Sequence, residues 1–124
     1  MLALLLQASF ALAAGELPPG DPIAGKASFA KCASCHQVGP NARGGFGPQL
    51  TGVIGRQAGS TRDFNYSVAM RNANFVWTDA RLRAFLKSTD AVVPGNKMRF
   101  WGISNEQELS NLLAYLRTFD RPQK

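Results

Sequence analysis

The feature that most constrains this chain is the hexapeptide KCASCH at residues 31–36. It holds both cysteines and the only histidine of the 124 residues. Cys-x-x-Cys followed directly by His is the attachment motif of a c-type haem. Its spacing sets the sulfurs of Cys32 and Cys35 about one helical turn apart, so that each can form a thioether with one vinyl group. His36 is then the first axial ligand of the iron. The motif predicts one covalently bound haem c.

Other chemistries use the same residue types. A structural zinc site needs four N, S or O ligands, and this motif supplies three at most. A thioredoxin-like redox pair has the Cys-x-x-Cys spacing, but it requires a βαβ context and gives His36 no role. A disulfide between Cys32 and Cys35 would be strained and would close almost no loop. We favour haem because it uses all three residues.

The N-terminal residues 1–14 carry no charged side chain and are rich in leucine and alanine. Together with the small-x-small pattern of Ala11-Leu12-Ala13, this composition indicates a cleaved signal peptide. An uncleaved anchor is the alternative, because a positively charged start is missing, although the run is short for a bilayer span. A buried N-terminal helix is disfavoured by the polar segment that follows. We predict a signal peptide at 1–14, a leader at 15–20 and one periplasmic domain at 21–124.

Capping residues and apolar periodicity predict a mostly helical domain. Asp21 and Pro22 begin a first helix that runs into the haem motif. A short helix is expected over 65–73, Thr78 caps a third, and a capping box at 104–107 opens a long last helix. The residues expected to face the core from the last two helices are Leu82, Phe85, Leu86, Leu109, Leu112, Leu113 and Leu116.

Long loops separate these helices. Residues 37–60 are rich in glycine, but they match neither a dinucleotide fingerprint nor a P-loop, because the required third glycine and the Gly-Lys-Ser/Thr sequence are missing. A second loop is expected at 90–97. Long loops in a small domain are usually functional. We therefore predict an all-α fold of four to five helices, with its loops wrapped around the haem.

The second axial ligand must come from another residue type, because His36 is the only histidine. Thioether sulfur suits low-spin iron and favours its reduced state. Met98 follows Pro94-Gly95 in a loop, whereas Met70 lies within a predicted helix and Met1 leaves with the signal peptide. We favour Met98; a lysine ligand or no sixth ligand are the alternatives.

The net charge of +6 comes from basic residues scattered singly along the chain. Nucleic-acid binding would require a basic stripe or a known module, and neither is present. Steering toward an acidic protein partner is a better use of this charge, and plain solubility is the alternative. There is also no nucleophile with a base and no second histidine, so the sequence predicts no enzyme active site.

Several separate motifs resemble those of one family, the class I cytochromes c of mitochondria and closely related bacteria. The resemblance covers about 21–119. It implies a monomeric single-electron carrier between a quinol-oxidising cytochrome bc complex and a terminal oxidase or photosynthetic reaction centre. A haem enzyme or sensor with an open sixth site is the alternative. The matching segments are Asp21, Gly25, Phe29, CASCH at 32–36, GPQL at 47–50, GVIGR at 52–56, FNYS at 64–67, Trp77, VPGNKM at 93–98 and LLAYL at 112–116.

The resemblance also assigns roles to individual residues. It implies His36 and Met98 as axial ligands, and Pro48 as the residue whose carbonyl orients His36. It implies that Gly25 lets the first and last helices approach. Four further residues match positions that hydrogen-bond the haem propionates, namely Arg56, Tyr66, Trp77 and Asn96.

The chain departs from the family pattern at two kinds of position. Met70 stands where mitochondrial members commonly have Asn, and Phe85 stands where they commonly have Tyr. Both changes remove polar groups, so we expect a drier pocket on the methionine side. The lysine ring of the family's docking face is thin here, which puts strong electrostatic steering in doubt. The cations that remain near it are Lys31, Lys87, Lys97 and Arg99.

Overall fold

The computed structural model describes residues 15–120, and its regular elements are helices. Apart from one isolated antiparallel bridge between Gln57 and Val76, this part of the chain forms no strands. The all-α prediction of four to five helices is confirmed. The predicted signal peptide at 1–14 lies outside the described residues. The helices are α1 (Pro22–Ser28), a 3-10 turn (Phe29–Lys31), α2 (Val68–Arg71), α3 (Asp79–Lys87), α4 (Thr89–Val92) and α5 (Glu106–Arg117).

Helix α1 begins as its sequence predicts and delivers the haem motif. The Asp21 side chain accepts a hydrogen bond from Ile23 N at 2.9 Å, and Pro22 occupies the first helical position. The chain then tightens into the 3-10 turn, and Cys32 N donates to Phe29 O at 2.8 Å. Cys32 therefore follows α1 without an intervening loop, and its position depends on where α1 packs.

Helices α1 and α5 cross at Gly25, and this contact fixes α1. A Cβ built on Gly25 would overlap the carbonyl oxygen of Asn111, so only glycine allows the two backbones to approach this closely. The Phe29 and Tyr115 rings pack beside the crossing with centroids 5.4 Å apart. The expected role of Gly25 agrees with this geometry. The fully buried side chains under the crossing are Leu109, Leu112 and Leu113.

The core-facing residues predicted for α3 and α5 are all buried. The Thr78 side chain caps α3 by accepting from Arg81 N at 3.2 Å, as predicted. The predicted core-facing residues are confirmed because the apolar stripes of α3 and α5 are long enough to identify a core face.

Three predicted boundaries need correction. The helix expected over 65–73 is only Val68–Arg71, because Ser67 caps it by accepting from Met70 N at 3.0 Å. The loop expected at 90–97 begins as helix α4, which is too short to show a period. The capping box expected at 104–107 does not form with Ser104 as the cap. Asn105 is the N-cap instead, since its side chain accepts from Glu108 N at 2.9 Å.

Two carboxylates in the first turn of α5 tie that helix to its neighbours. Glu106 pairs with Arg83 of α3, with an N–O distance of 2.9 Å, and also with Lys87. Glu108 pairs with Lys31 in the 3-10 turn. The hydrogen bond from Lys87 lowers the pKa of Glu106, and Arg83 adds to the effect, while partial desolvation opposes it.

We predict that Gly25→Ala destabilises the holoprotein by about 2 kcal/mol, because the helices must separate to admit the new methyl group. Helix propensity alone would give the opposite sign, a gain of about 1 kcal/mol. Urea denaturation followed by haem absorbance measures the change. Ala27→Gly, at an exposed position of α1, is the reference for propensity. A Gly25→Ala protein as stable as wild type would contradict the close crossing.

We also predict a pH-dependent contribution from Glu106. Its folded-state pKa lies below the ordinary 4.5, so the folded protein takes up this proton less readily than the unfolded chain. The stabilisation is therefore complete above about pH 4.5 and is lost as the pH falls through the folded-state value. Urea titrations at several pH values should show wild type and Glu106→Gln converging in free energy of unfolding as the pH is lowered. A constant difference would contradict the ion pairs. Glu16→Gln, in the exposed leader, is the control.

Candidate haem-binding site

A largely apolar cavity of about 420 Å³ lies between the haem motif and the Met98 loop. This volume is in the usual range for cofactor sites, about 300 to 1,000 Å³. A second, more open cavity of about 630 Å³ is lined by Thr89, Asp90 and residues 96–101, and it has neither Cys nor His in its wall. Every residue predicted for the site lines the first cavity: Cys32, Cys35, His36, Pro48, Arg56, Tyr66, Trp77, Asn96 and Met98.

The two cysteines lie on one tight turn. Cys35 N and His36 N both donate to Cys32 O, at 3.0 and 2.9 Å. Both thiols are free, so the disulfide alternative is wrong for this structure. Burial raises the pKa of the Cys32 thiol, and the charge of Lys31 offsets part of the effect. Between residues 15 and 120, no group of three or more His, Cys, Asp or Glu is placed to hold a metal, so nothing here supports the zinc alternative.

The His36 ring is held in one orientation. Its Nδ1 donates to the carbonyl oxygen of Pro48 at 2.7 Å. That bond fixes the tautomer in which the Nε2 lone pair is available to a metal. Burial lowers the pKa of His36, and the bond to Pro48 opposes this only in part. The imidazole is thus arranged as a neutral ligand.

Gly47 packs directly on this ring. A Cβ at position 47 would lie 2.5 Å from His36 Cε1. Gly47 N also donates to Cys35 O at 2.8 Å, which joins the glycine-rich loop to the motif. Sequence reasoning did not include Gly47 among the site residues. The Gly-Pro pair was visible, but the contact with a ring eleven positions earlier depends on the tertiary fold.

Met98 is presented by a loop that the Asn96 side chain organises. Asn96 Oδ1 accepts from Met98 N at 2.8 Å, and its Nδ2 donates to Val93 O at 2.9 Å and to Asp90 Oδ1 at 3.1 Å. Gly95, with φ of +84°, makes the turn before it. Met98 is half-buried in the cavity wall, and so is Met70 on α2. Two thioethers therefore line this site.

Arg56 and Trp77 are joined through their backbones at another part of the cavity wall. Trp77 N donates to Arg56 O at 2.8 Å, and the Trp77 ring packs against Phe85 with centroids 5.0 Å apart. The Arg56 guanidinium donates to the carbonyl oxygens of Gln49 and Thr51, both at 2.7 Å. These two bonds close the loop over 49–56 and hold the positive charge of Arg56 beside an apolar cavity.

Tyr66 and Asn96 also have partners. The Tyr66 hydroxyl shares a hydrogen bond of 2.5 Å with Thr61 Oγ1. The Asn96 side chain bonds within the Met98 loop, as described. Propionate binding by these side chains stays a prediction. The Thr61 contact was not foreseen, because nothing in the sequence marks a threonine five residues before a tyrosine.

The donor set fits a haem c. Two free thiols lie one turn apart, an imidazole has its tautomer fixed, and two thioethers line the same apolar cavity. Soft sulfur and imidazole donors with an apolar wall suit haem iron. A catalytic zinc site would instead need several histidine or carboxylate ligands, and the cavity wall has one histidine and no carboxylate.

Comparison with known proteins agrees with this chemistry. The family model described as Cytochrome c matches residues 23–120. A cytochrome c2 of Rhodomicrobium vannielii is 42% identical over 92% of this chain and 91% of that protein. A cytochrome c2 of Agrobacterium tumefaciens is 49% identical over 78% of this chain and 90% of that protein. The solved structure of cytochrome c2 from Rhodospirillum centenum superposes with a TM-score of 0.77 at 38% identity, covering 82% of this chain and all of that one.

The family match spans nearly all of the described residues, and the relatives cover most of the chain at high identity. The resemblance to class I cytochromes c is confirmed. This chain belongs to the cytochrome c family, the electron carriers that hold one covalently bound c-type haem.

Proposed function

We propose that this chain is a periplasmic single-electron shuttle whose haem is anchored by Cys32 and Cys35 and ligated by His36 and Met98. The observation that carries the proposal is the convergence of these four side chains on one apolar cavity. When bound, the haem supplies a reversible one-electron step between Fe(II) and Fe(III). The protein holds the ligands and excludes water.

The ligand geometry on the histidine side comes from the glycine-rich loop. The Pro48 carbonyl oxygen accepts a hydrogen bond from His36 Nδ1, and Gly47 leaves room for the ring. A ligand held this way does not reorient when the charge of the iron changes. A fixed geometry keeps the reorganisation between oxidation states small, which a carrier requires.

Met98 is the better candidate of the two methionines. Its backbone is positioned by the Asn96 side chain within a loop, and loops are the segments that adapt to a ligand. Met70 is held within α2, whose cap Ser67 bonds its backbone N–H. We propose that Met70 packs as an apolar wall instead, together with Phe85, which keeps this side of the site dry.

We propose that Arg56, Tyr66, Trp77 and Asn96 surround the haem propionates. A partly buried carboxylate needs donors and a positive charge. Arg56 supplies that charge, and all four residues line the cavity.

We propose a cytochrome bc complex as the electron donor and a terminal oxidase or photosynthetic reaction centre as the acceptor. Relatives named cytochrome c2 and c-550 support a redox shuttle. A monomer that docks transiently suits the net charge of +6, and nothing in the chain suggests a nucleic-acid partner or an enzyme active site. Secretion would require residues 1–14 as a signal peptide. In the described part of the chain, no helix has the length and apolarity needed to span a membrane.

We predict that Met98→Leu abolishes the weak far-red band of a methionine–ferric iron bond and lowers the reduction potential, because the thioether that favours Fe(II) is lost. Met70→Leu, which conserves volume in the same cavity, should keep both properties. Optical spectra of the oxidised and reduced holoproteins decide whether Met98 or Met70 is the iron ligand. If wild type lacks the band, the sixth ligand is not methionine, which leaves a lysine ligand or the open site of the enzyme or sensor alternative. If only Met70→Leu loses it, Met98 is the wrong ligand.

We predict that Gly47→Ala displaces the His36 ring, because the new methyl group would lie 2.5 Å from Cε1. Weakening such a support typically costs about 10- to 100-fold in metal affinity or activity. The yield of protein with covalent haem, measured by mass spectrometry, and its reduction potential should both fall. Gly45→Ala is the matched control, since a Cβ at position 45 meets nothing within 4 Å. Equal behaviour of the two variants would contradict the role of Gly47.

A further inference from the structure

Two aromatic side chains stand almost fully exposed near the site. Phe46 lines the haem cavity, and Trp101 lines the second cavity, which shares the wall residues 96–100 with it. Phe46 is 90% exposed and Trp101 is 104% exposed. Phe46 precedes Gly47, which packs on His36, and Trp101 lies three residues after Met98. The two aromatics therefore belong to the loops that brace opposite sides of the site. Exposing such large apolar rings is unfavourable in a free protein.

Some of the cations near these rings form ion pairs and others do not. Lys97 and Arg99, the residues on either side of Met98, are exposed and line the cavity. Neither forms an ion pair within residues 15–120. Asp90 is the one carboxylate among the wall residues of the second cavity, where Lys97 and Arg99 outnumber it, and it accepts a hydrogen bond from Asn96. The free charge of this face is therefore positive.

The other two cations of the thin lysine ring are already paired. Lys31 pairs with Glu108 and Lys87 with Glu106. The Lys87 backbone lies against Gly102, next to Trp101, so this paired lysine is close to the exposed ring. Surface ion pairs add little stability, about 0 to 1 kcal/mol, but they cancel charge that would otherwise steer a partner.

We propose that Phe46 and Trp101 are the anchors by which a redox protein docks over the cavity, with Lys97 and Arg99 as a small cationic complement. The partner surface has an apolar pocket for each ring and carboxylates on its rim. Trp is enriched among the residues that dominate binding energy, and it acts from desolvated pockets. Apolar anchoring explains how docking can proceed with a depleted lysine ring. This proposal rests on the electron-carrier function proposed above.

Two other occupants of this face are less compatible with it. A second copy of the chain would place Lys97 and Arg99 near their own counterparts, which like charges disfavour. An anionic membrane would suit a tryptophan and two cations, but it would cover the face through which electrons must pass to a protein. Both occupants give distinct results in the test.

The test uses the holoprotein and a purified cytochrome bc complex from the same organism. Stopped-flow absorbance gives the second-order rate of haem reduction at ionic strengths from about 20 to 500 mM, a range over which surface charges become screened. Trp101→Ala should lower the rate at least tenfold at every ionic strength, and Phe46→Ala severalfold. Ile23→Ala, which removes an 82% exposed side chain on α1, should change it less than twofold. All three positions are exposed, and the haem spectrum checks the fold of each variant.

Charge variants separate anchoring from steering. Lys97→Gln with Arg99→Gln should lower the rate at low salt and have little effect at high salt. Glu106→Gln with Glu108→Gln frees Lys87 and Lys31, and it should steepen the salt dependence. If Trp101→Ala and Phe46→Ala stay within twofold of wild type while the Lys97 and Arg99 variant fails, steering alone drives docking and the proposal is wrong.

Control measurements identify the source of a negative result. Wild type and Trp101→Ala should exchange electrons equally with hexacyanoferrate, which needs no docking surface. If wild type does not exchange, the electron-carrier function fails. If it does, and Trp101→Ala still reacts normally with both the bc complex and a terminal oxidase, only the docking proposal fails. Binding to phosphatidylglycerol vesicles and dimer formation in sedimentation are measured for wild type and Trp101→Ala. If Trp101→Ala loses vesicle binding but transfers electrons normally, the face binds a membrane and the proposal is wrong. If it loses a dimer that wild type forms, again with normal electron transfer, the face binds a second copy and the proposal is also wrong.

Discussion

The backbone contact between Gly25 of α1 and Asn111 of α5 is the constraint on which the site depends. Helix α1 passes through one 3-10 turn directly into Cys32, so any shift of α1 is carried to both thiols and to His36. The close approach itself involves no contact with the cofactor, because it depends only on the missing side chain at position 25. Its stability comes from the apolar face of α5 beneath it, while the glycine sets how closely the two axes meet.

The rest of the site is built from loops, and their side-chain and backbone bonds take the place of a regular scaffold. Pro48 and Gly47 define the histidine side, and Asn96 defines the methionine side. The loop that holds Arg56 is closed by Arg56 itself through two backbone carbonyls. Helices α3 and α5 complete the cavity wall with the apolar side chains of Leu82, Phe85, Leu86, Leu112 and Leu116.

The helices and the Cys-x-x-Cys-His motif could be predicted from the residues, because both leave local marks. The roles of Pro48, Arg56, Tyr66, Trp77 and Asn96 are implied by the resemblance to class I cytochromes c. Asp21-Pro22 and Thr78 are recognisable caps, and the leucines of α5 recur with the helical period. The errors fell where such marks are absent. Helix α4 has four residues, too few to show a period, and Asn105 and Ser104 are adjacent residues that both cap well. The contact of Gly47 with His36, the hydrogen bond of Thr61 with Tyr66 and the exposure of Trp101 depend on segments that meet only after folding, so no local pattern could predict them.

The crossing at Gly25 also limits how this chain can evolve. The atom that a side chain at position 25 would strike is a carbonyl oxygen of the main chain, not the end of a side chain at position 111. A smaller residue at 111 therefore creates no space, and no single second-site replacement there can act as a suppressor. A side chain at position 25 can be accommodated only if α1 or α5 tilts or shifts as a whole. Because that helix ends at the thiols, such a change would have to be accommodated by the haem site at the same time.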